Sequence, residues 1–359
     1  MSDWPPGLVS SERLTLSIDA MGGDGAPQMV VKGIALAHER HPEVHFLVFG
    51  DDSRLSPLLE QAGPAVQRVC QVHHAADAIR NDAKPSAALR AGRKSSMRFA
   101  IDAVADKRAA GVVSAGNTGA LLAIAKFVLK TLPGIDRPAI STYFPTERGE
   151  TVMLDLGANV ECDADNLVQF AVMGEVFARH VLGLKQPTIG ILNVGAEGAK
   201  GNEAVRKASE ILQASPLPIK FSGFVEGDDI GAGTVDVVVT DGFTGNIALK
   251  TAEGTARMFG VFLREALTKS PLTHLGALLA RPALTELRMR VDPRRYNGAP
   301  FVGLNGICIK SHGGTDEIGF ANAIDVAIDL IRRDFNERIK EDLERLIAFQ
   351  TEPASAAAS

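Results

Sequence analysis

Apolar and polar positions alternate along the chain in a pattern that predicts strands and helices in turn. Buried strands are predicted at 15–21, 44–50, 66–72, 111–115, 188–194, 219–225, 235–240 and 301–311. Helical spacing predicts helices at about 27–39, 86–107 with a break near Gly92, 117–130, 164–182, 202–214, 244–268 and 315–349. The segments 139–144 and 151–156 predict a hairpin. This order is typical of an α/β fold with a mostly parallel sheet and helices on both faces.

No shift in composition divides the chain into two domains. We predict a flexible leader at 1–13, a single α/β catalytic domain at 14–350 and a disordered tail of small residues at 351–359. A helical excursion is expected at about 251–300. Its apolar stretch at 271–280 is followed by five arginines between 281 and 295. Such a segment suits an anionic membrane surface or a dimer contact equally well.

Charge and cysteine usage narrow the class of protein. The formal net charge of −5 argues against a nucleic-acid-binding protein. No apolar run reaches the roughly 18 residues that a membrane span needs. Cys70, Cys162 and Cys308 are isolated, with no metal-binding spacing, so we expect a reducing cytoplasm and no metal site.

Three glycine-rich turns each follow a predicted strand and precede a predicted helix. They lie at Gly22–Gly25, Gly116–Gly119 and Gly242–Gly245. Backbone N–H groups and a helix dipole converge at such turns, which suits a phosphate or another anion. The dinucleotide fingerprint GxGxxG and the nucleotide loop GxxxxGK[ST] are both absent, which argues against NAD and ATP. Strand ends in these folds meet in a ligand cleft, so the turns predict one shared site.

Candidate site residues cluster at these strand ends. The predicted phosphate-binding residues are Lys84, Ser114, Gly116, Thr118, Gly119, Lys200, Gly242, Thr244 and Gly245. The predicted catalytic residues are Asn117, Asn159, Asp241, Asn246 and His312, as oxyanion donors or acid–base groups. Asp19, Gly22, Gly23, Asp24, Asp155, Gly195 and Glu197 are predicted to shape the cleft or bind substrate. Helix capping and tight turns are the alternative role for most of them.

Six segments in a fixed order give the chain a family resemblance. They are 18–24 (IDAMGGD), 114–120 (SAGNTGA), 155–159 (DLGAN), 193–197 (NVGAE), 240–246 (TDGFTGN) and 312–313 (HG). With them the chain, from residue 14 to about 335, resembles the bacterial phosphate acyltransferases that convert acyl-acyl carrier protein to acyl phosphate.

The resemblance implies a Rossmann-like α/β/α sandwich, similar to phosphotransacetylases and the isocitrate dehydrogenase group. It implies long-chain acyl-acyl carrier protein and inorganic phosphate as substrates, with no cofactor. It also implies a cytoplasmic homodimer, peripherally associated with membrane, that feeds phospholipid synthesis. The acyl phosphate would pass to a membrane-bound glycerol-3-phosphate acyltransferase.

We expect phosphate to attack the thioester directly, without an acyl-enzyme. An acidic carrier protein would dock on a basic patch, either Arg90, Arg93, Lys94 and Arg98 or the arginines of 288–295. The alternatives are a coenzyme A phosphotransacetylase acting on short acyl groups, a dehydrogenase of related fold, and a non-enzymatic membrane-surface scaffold for lipid synthesis.

Overall fold

The structure is a computed structural model that describes residues 14–215 and 219–351, with side chains described to residue 344. The predicted leader and residues 352–359 of the predicted tail lie outside this range. In chain order the strands are β1 (Thr15–Asp19), β2 (His45–Gly50), β3 (Cys70–His74), β4 (Gly111–Ser114), β5 (Ala139–Thr146), β6 (Gly149–Leu154), β7 (Thr188–Leu192), β8 (Lys220–Val225), β9 (Val237–Val239), β10 (Ala299–Val302) and β11 (Ile307–Lys310).

Helices connect these strands and cover both faces of the sheet. In chain order they are α1 (Gln28–Arg40), α2 (Asp52–Ala62), α3 (Pro64–Val69), α4 (Pro85–Ala91), α5 (Ser96–Ala105), α6 (Thr118–Leu129), α7 (Ala164–Val181), α8 (Glu203–Ala214), α9 (Gly227–Ala232), α10 (Gly242–Thr268), α11 (Pro271–Leu279), α12 (Arg281–Arg290), α13 (Glu317–Arg332) and α14 (Phe335–Thr351). A single 3-10 turn at Gly92–Lys94 joins α4 to α5, where the sequence predicts a break.

The described strands form one sheet in the order β3-β2-β1-β4-β11-β10-β5-β6-β9-β7-β8. The strands from β3 to β11 are parallel to one another, and so are β6, β9, β7 and β8. Strands β10 and β5 pair antiparallel with their neighbours at the centre. The predicted mostly parallel α/β sheet is confirmed.

Two predicted strands are wrong in detail. Residues 66–72 are not one strand: Pro64 opens the short helix α3, and β3 begins only at Cys70. Proline suits the first turn of a helix because its missing N–H would have no partner there. The single strand at 301–311 is two antiparallel strands, β10 and β11. The chain reverses between them through Gly303, whose φ of +91° is readily adopted only by glycine.

The sheet separates two hydrophobic layers. Because side chains alternate between faces, Ile18, Val113 and Ile309 enter one layer, with α1, α7 and α13. Val112, Cys308 and Met153 enter the other layer, with α5 and α6. By the same alternation, Asp19, Ser114 and Lys310 project to the α5–α6 face.

The two parallel halves run in opposite directions, yet their carboxyl ends lie at nearly the same level. Lys310 at the end of β11 pairs with Ala299 of β10. Two residues further along β10, Phe301 pairs with Ile140, beside the end of β6. The offset is therefore about 7 Å along the strands, and β11 and β6 lie about 14 Å apart across the sheet. Functional groups from both halves can therefore face one substrate.

The predicted excursion is a set of exposed helices, α10 to α12. Phe259 and Phe262 of α10 and Leu279 of α11 are each more than half exposed. Within the described part of the chain, no helix combines the length and apolar character that crossing a bilayer requires.

Candidate active site

The first group of site residues lies where β1, β4 and β11 end. The register places Asp19, Ser114 and Lys310 side by side on the three adjacent strands. The hydroxyls of Ser96 and Ser114 each donate to a different carboxylate oxygen of buried Asp19, both at 2.7 Å. Burial raises the pKa of Asp19, whereas these hydrogen bonds and nearby Lys310 lower it. The group is thus a buried carboxylate hydrogen-bonded to two hydroxyls, with a lysine two strands away.

Lys310 is the functional candidate that sequence reasoning missed. Burial lowers the pKa of its ammonium to about 8, with Asp19 opposing the shift and Lys250 adding to it. Its Nζ donates to the carbonyl of Ser311. A signal was present: in the run Ile307–Lys310 the lysine shares a sheet face with buried Cys308. A lysine at an inward position of a strand is costly to bury, so it marks a site that uses positive charge.

Two of the three predicted glycine turns meet at this group. A Cβ at Gly22 would lie 2.5 Å from the backbone nitrogen of Gly116, so the turns after β1 and β4 are in direct contact. Gly23 approaches both Ala115 and Gly313. The Asp24 N–H donates to the carbonyl of Gly313 at 2.9 Å, joining the turn after β11 as well.

The turn after β11 carries His312 and is fixed by a buried asparagine. Asn297 accepts the His312 N–H at 2.8 Å and donates to the Ser311 hydroxyl and the Gly319 carbonyl. Burial, followed by the charges of Lys250 and Lys310, lowers the pKa of His312. Its Nδ1 accepts the Gly314 N–H at 3.2 Å, so the neutral ring carries its proton on Nε2. His312 is therefore arranged to donate a hydrogen bond from Nε2.

The start of α6 offers backbone donors next to this group. Asn117 caps the helix by accepting the Ala120 N–H, and its amide donates to the carbonyls of Asn81 and Ala83. The Asn117 amide therefore already donates to two backbone carbonyls. This favours a capping role over its predicted role as an oxyanion donor. Thr118 and Gly119 follow the cap, where helix N–H groups lack intrahelical partners. Lys84, the N-cap residue of α4, follows directly after Ala83.

The second group lies where β6 and β9 end, and it is organised around Asp155. Its fully buried carboxylate accepts the backbone N–H groups of Ile140, Gly157, Ala158 and Asn159 at 2.7–3.2 Å. It also accepts the side-chain amide of Asn159 at 2.9 Å, and that amide donates to the carbonyl of Pro138. Both residues therefore hold the turn 155–159 in shape, and the Asn159 amide is not available to a substrate.

The third glycine turn is anchored to this second group. The Gly242 N–H donates to the Asn159 carbonyl at 2.7 Å. Asp241 caps α10 by accepting the N–H and hydroxyl of Thr244. Asn246, one turn into α10, is exposed, and its amide makes no hydrogen bond to the described residues. Among the predicted asparagines, Asn246 is thus best placed to act as a donor to substrate.

Substitution of Gly245 tests the close contact between the start of α10 and the turn 155–159. A Cβ there would lie 1.9 Å from the Asp155 carbonyl oxygen, so Gly245→Ala should destabilise the chain by about 2 kcal/mol and lower its activity. The matched control is Gly254→Ala in the same helix, where a Cβ meets nothing within 4 Å. The control should be neutral or stabilising, by up to about 1 kcal/mol. Equal midpoints for the two variants in urea unfolding would contradict the close contact.

The remaining predicted residues form a separate exposed loop after β7. Lys200 pairs with Glu197 at 2.8 Å, and Asn193 donates to the carbonyls of Gly195 and Lys200. Across residues 14–215 and 219–344, no hydrogen bond joins this loop to either group. The predicted residues thus fall into three clusters rather than one.

Helix α10 links the first two groups. It begins at the second group, and Ala248 and Leu249 rest on the α5–α6 layer. Lys250 then lies close enough to lower the pKa of both Lys310 and His312, while Glu253 opposes the shift at His312. Lys250 and Glu253 pair with each other at 2.9 Å. The space between α10 and α6 is therefore bordered by both groups.

No cysteine is poised to act as a nucleophile. Burial raises the pKa of Cys162, which lies beside the Asn159 carbonyl, to about 12, and that of Cys70 to about 12. Cys308 is fully buried, and burial raises its pKa further. These thiols stay protonated near neutral pH and react poorly. In the described part of the chain, no cluster of His, Cys, Asp and Glu has a metal-binding arrangement.

Comparison with known proteins identifies the class and then the family. The family model described as "Fatty acid synthesis protein" matches residues 14–338. The phosphate acyltransferase of Rhodospirillum centenum is 64% identical over 338 residues, covering 94% of this chain and 95% of that protein. That of Paramagnetospirillum magneticum is 59% identical over 348 residues, covering 97% and 99%. The chain is therefore an enzyme, an acyltransferase. It belongs to the phosphate acyltransferase family, as the sequence motifs predict.

Solved structures confirm the fold. A phosphotransacetylase from Streptococcus pyogenes superposes with a TM-score of 0.61 at 18% identity, covering 90% of this chain and 94% of that chain. The EutD phosphotransacetylase from Staphylococcus aureus gives 0.56 at 16% identity, covering 91% and 96%. The chain thus shares the α/β fold of phosphotransacetylases.

Proposed function

We propose that this chain transfers a long-chain acyl group from acyl-acyl carrier protein to inorganic phosphate. A phosphate oxygen attacks the thioester carbonyl carbon, and the carbonyl π electrons move to oxygen. The tetrahedral intermediate collapses as the C–S bond breaks, giving acyl phosphate and the carrier thiolate, which takes up a proton. The observation that carries this proposal is Lys310 at the end of β11, paired with Ser114 of β4 just before the turn that opens α6, in a member of this acyltransferase family.

The first group is the proposed phosphate site. The Lys310 ammonium and the N–H groups of Thr118 and Gly119 supply charge and directed donors, and Lys84 stands at the rim. His312 donates from Nε2 to a phosphate oxygen rather than acting as the base. Phosphate is largely a dianion at slightly alkaline pH, so its attack needs no protein base. Gly116 contributes by close approach, because its own N–H is taken by the Ser114 hydroxyl.

The second group is proposed to hold the thioester. Asn246 of α10 would donate to the developing oxyanion. The start of α10 is tied through the Gly242 N–H to the turn 155–159, which Asp155 and Asn159 keep rigid. The shape of this turn is maintained by buried hydrogen bonds and needs no rearrangement when the substrate binds. The three thiols with raised pKa values support direct displacement over an acyl-cysteine intermediate.

We also propose the cellular setting that the family resemblance implied. The chain acts as a cytoplasmic homodimer that associates peripherally with membrane, and its acyl phosphate supplies a glycerol-3-phosphate acyltransferase of phospholipid synthesis. The exposed apolar side chains of α10 and α11 support a contact with lipid or a second subunit. Sedimentation of the purified chain, with and without anionic vesicles, tests both associations.

A second candidate function is phosphotransacetylase activity on short acyl-coenzyme A, which the shared fold favours. Turnover of acetyl-coenzyme A is compared with that of palmitoyl-acyl carrier protein, each at saturating phosphate. We expect the carrier substrate to give the higher kcat/KM. A preference for acetyl-coenzyme A would replace the primary proposal.

The pH dependence of phosphate use tests the site directly. Lys310 is charged below its pKa of about 8 and neutral above it, so kcat/KM for phosphate should fall about tenfold per pH unit above pH 8. Arginine stays charged throughout this range. Lys310→Arg should therefore lose the decline near pH 8, even if its absolute rate is lower. An unchanged decline in this variant would assign the titration to another group.

A further inference from the structure

Positive charge is concentrated in one segment of an otherwise acidic chain. Residues 84–130 hold nine Lys and Arg residues against two Asp, although the whole chain has a net charge of −5. This segment forms α4, α5 and α6, which lie together on one face of the sheet. We define the α4–α6 surface by Arg90, Arg93, Lys94, Arg98, Phe127 and Lys130.

An exposed aromatic side chain lies within this surface. Phe127 of α6 is 54% exposed, and the guanidinium of Arg98 and the ammonium of Lys130 lie 5.9 and 4.9 Å from its ring centre. Phenylalanine flanked by two cations combines an apolar anchor with charge that attracts an acidic partner. Arg90, Arg93 and Lys94, in and after the neighbouring helix α4, are exposed as well.

The backbone at Lys130 supports a role outside folding. Lys130 ends α6 with φ of +65°, a left-handed conformation that favours glycine. Its carbonyl accepts the Asn305 N–H at 2.9 Å, which holds the chain in this conformation. A lysine at this position costs stability and places an ammonium over Phe127.

The helices of this surface begin at the proposed phosphate site. Lys94 and Arg98 flank Ser96, whose hydroxyl donates to Asp19. Helix α6 begins at Asn117, beside the turn after β4. A partner bound across α5 and α6 would therefore stand at the rim of the space between α6 and α10.

We propose that the α4–α6 surface docks the acidic carrier protein, with Phe127 as its apolar anchor. This inference rests on the proposed function. The other basic segment is less suited, because Arg294 is paired with Asp292 and Asp316. Arg295 lines a cavity together with Asp325 and Asp329. These acids would repel an acidic partner. On the α4–α6 surface Arg98 pairs with Asp102 at 2.8 Å, whereas Arg90, Arg93, Lys94 and Lys130 have no ion-pair partner among the described residues.

The test compares carrier-bound and small thioesters in the full-length chain. The variants are Arg93→Glu with Lys94→Glu, Phe127→Ala, and Lys130→Gly. Each should raise KM for palmitoyl-acyl carrier protein by about tenfold or more, with kcat nearly unchanged. The charge reversal should also flatten the salt dependence of kcat/KM. Turnover of palmitoyl-N-acetylcysteamine, which has no carrier, should match the parent. Lys130→Gly should in addition raise Tm, because glycine adopts this φ freely.

The matched control reverses two exposed lysines on the opposite face, Lys32→Glu with Lys207→Glu, and should keep the parent KM. Parent-like KM in all three surface variants would overturn the docking proposal. An equal loss with the small thioester, or a change in oligomeric state, would also overturn it and reassign the surface to the active site or to subunit contact. No phosphate-dependent turnover of either thioester by the parent would instead overturn the proposed function.

Discussion

Replacement of Lys310 by methionine is expected to lower kcat/KM for phosphate by about 100- to 1000-fold while the chain stays folded. In the proposed phosphate site, Lys310 and Asp19 lie on strands either side of β4, and the ammonium would pair there with the entering anion. Methionine fills a similar volume without charge. Initial rates over a range of phosphate concentrations measure the effect. The control is Lys32→Met, an exposed lysine of α1 on the opposite face, which should keep the parent rate.

The pH dependence of the free energy of unfolding of Lys310→Met distinguishes the effect of the lost charge from any effect on packing. Burial lowers the pKa of Lys310 from an ordinary 10.5 to about 8, so between these values the unfolded chain binds more protons than the folded chain. The free energy of unfolding contributed by this group therefore rises with pH across that window. Lys310→Met should lack this rise, as urea unfolding at pH 8 and pH 10 would reveal. A parallel rise in parent and variant would mean that the ammonium is well solvated and unsuited to the proposed role.

Local sequence patterns predicted most of the strands and helices, because the signals for both depend on residues close together in the chain. The apolar pattern located the strands that end at Asp19 and Ser114, and helical spacing placed the starts of α6 and α10 within two residues. The errors fell where long-range pairing decides the outcome. The antiparallel return of β10 beside β11 depends on a turn at Gly303, inside the segment 301–311 that the pattern predicts as one strand.

The sequence predicts which turns form the site, but it does not predict the role of each polar residue in them. Glycine turns after strands identified the regions, but only the structure shows which polar groups are already used. The side-chain amides of Asn117 and Asn159 donate to backbone carbonyls, whereas that of Asn246 makes no hydrogen bond to the described residues. Lys310 was not predicted as a site residue because a lysine at the end of a strand is usually exposed to solvent. Its burial depends on β4 and α6, which pack against β11 and are distant in sequence.

Asp155→Asn is expected to destabilise the chain by about 3 kcal/mol and to reduce activity with both substrates. One carboxylate oxygen accepts three backbone N–H groups, and the other accepts two donors from Asn159. An asparagine amide in either orientation places its NH₂ against donors and leaves at least two of them without an acceptor. The turn 155–159 would then loosen, together with the start of α10, which is tied to the Asn159 carbonyl.

The measurement is a urea unfolding curve paired with steady-state kinetics, and the matched control is Asp165→Asn. Asp165 lies in the exposed first turn of α7, so its substitution should cost no more than about 1 kcal/mol. If Asp155→Asn kept the parent stability but lost all activity, the carboxylate would be acting on the substrate instead of on the turn. The expected joint loss would assign Asp155 to holding the second group in place, because the proposed contact of Asn246 with the thioester requires a rigid turn at 155–159.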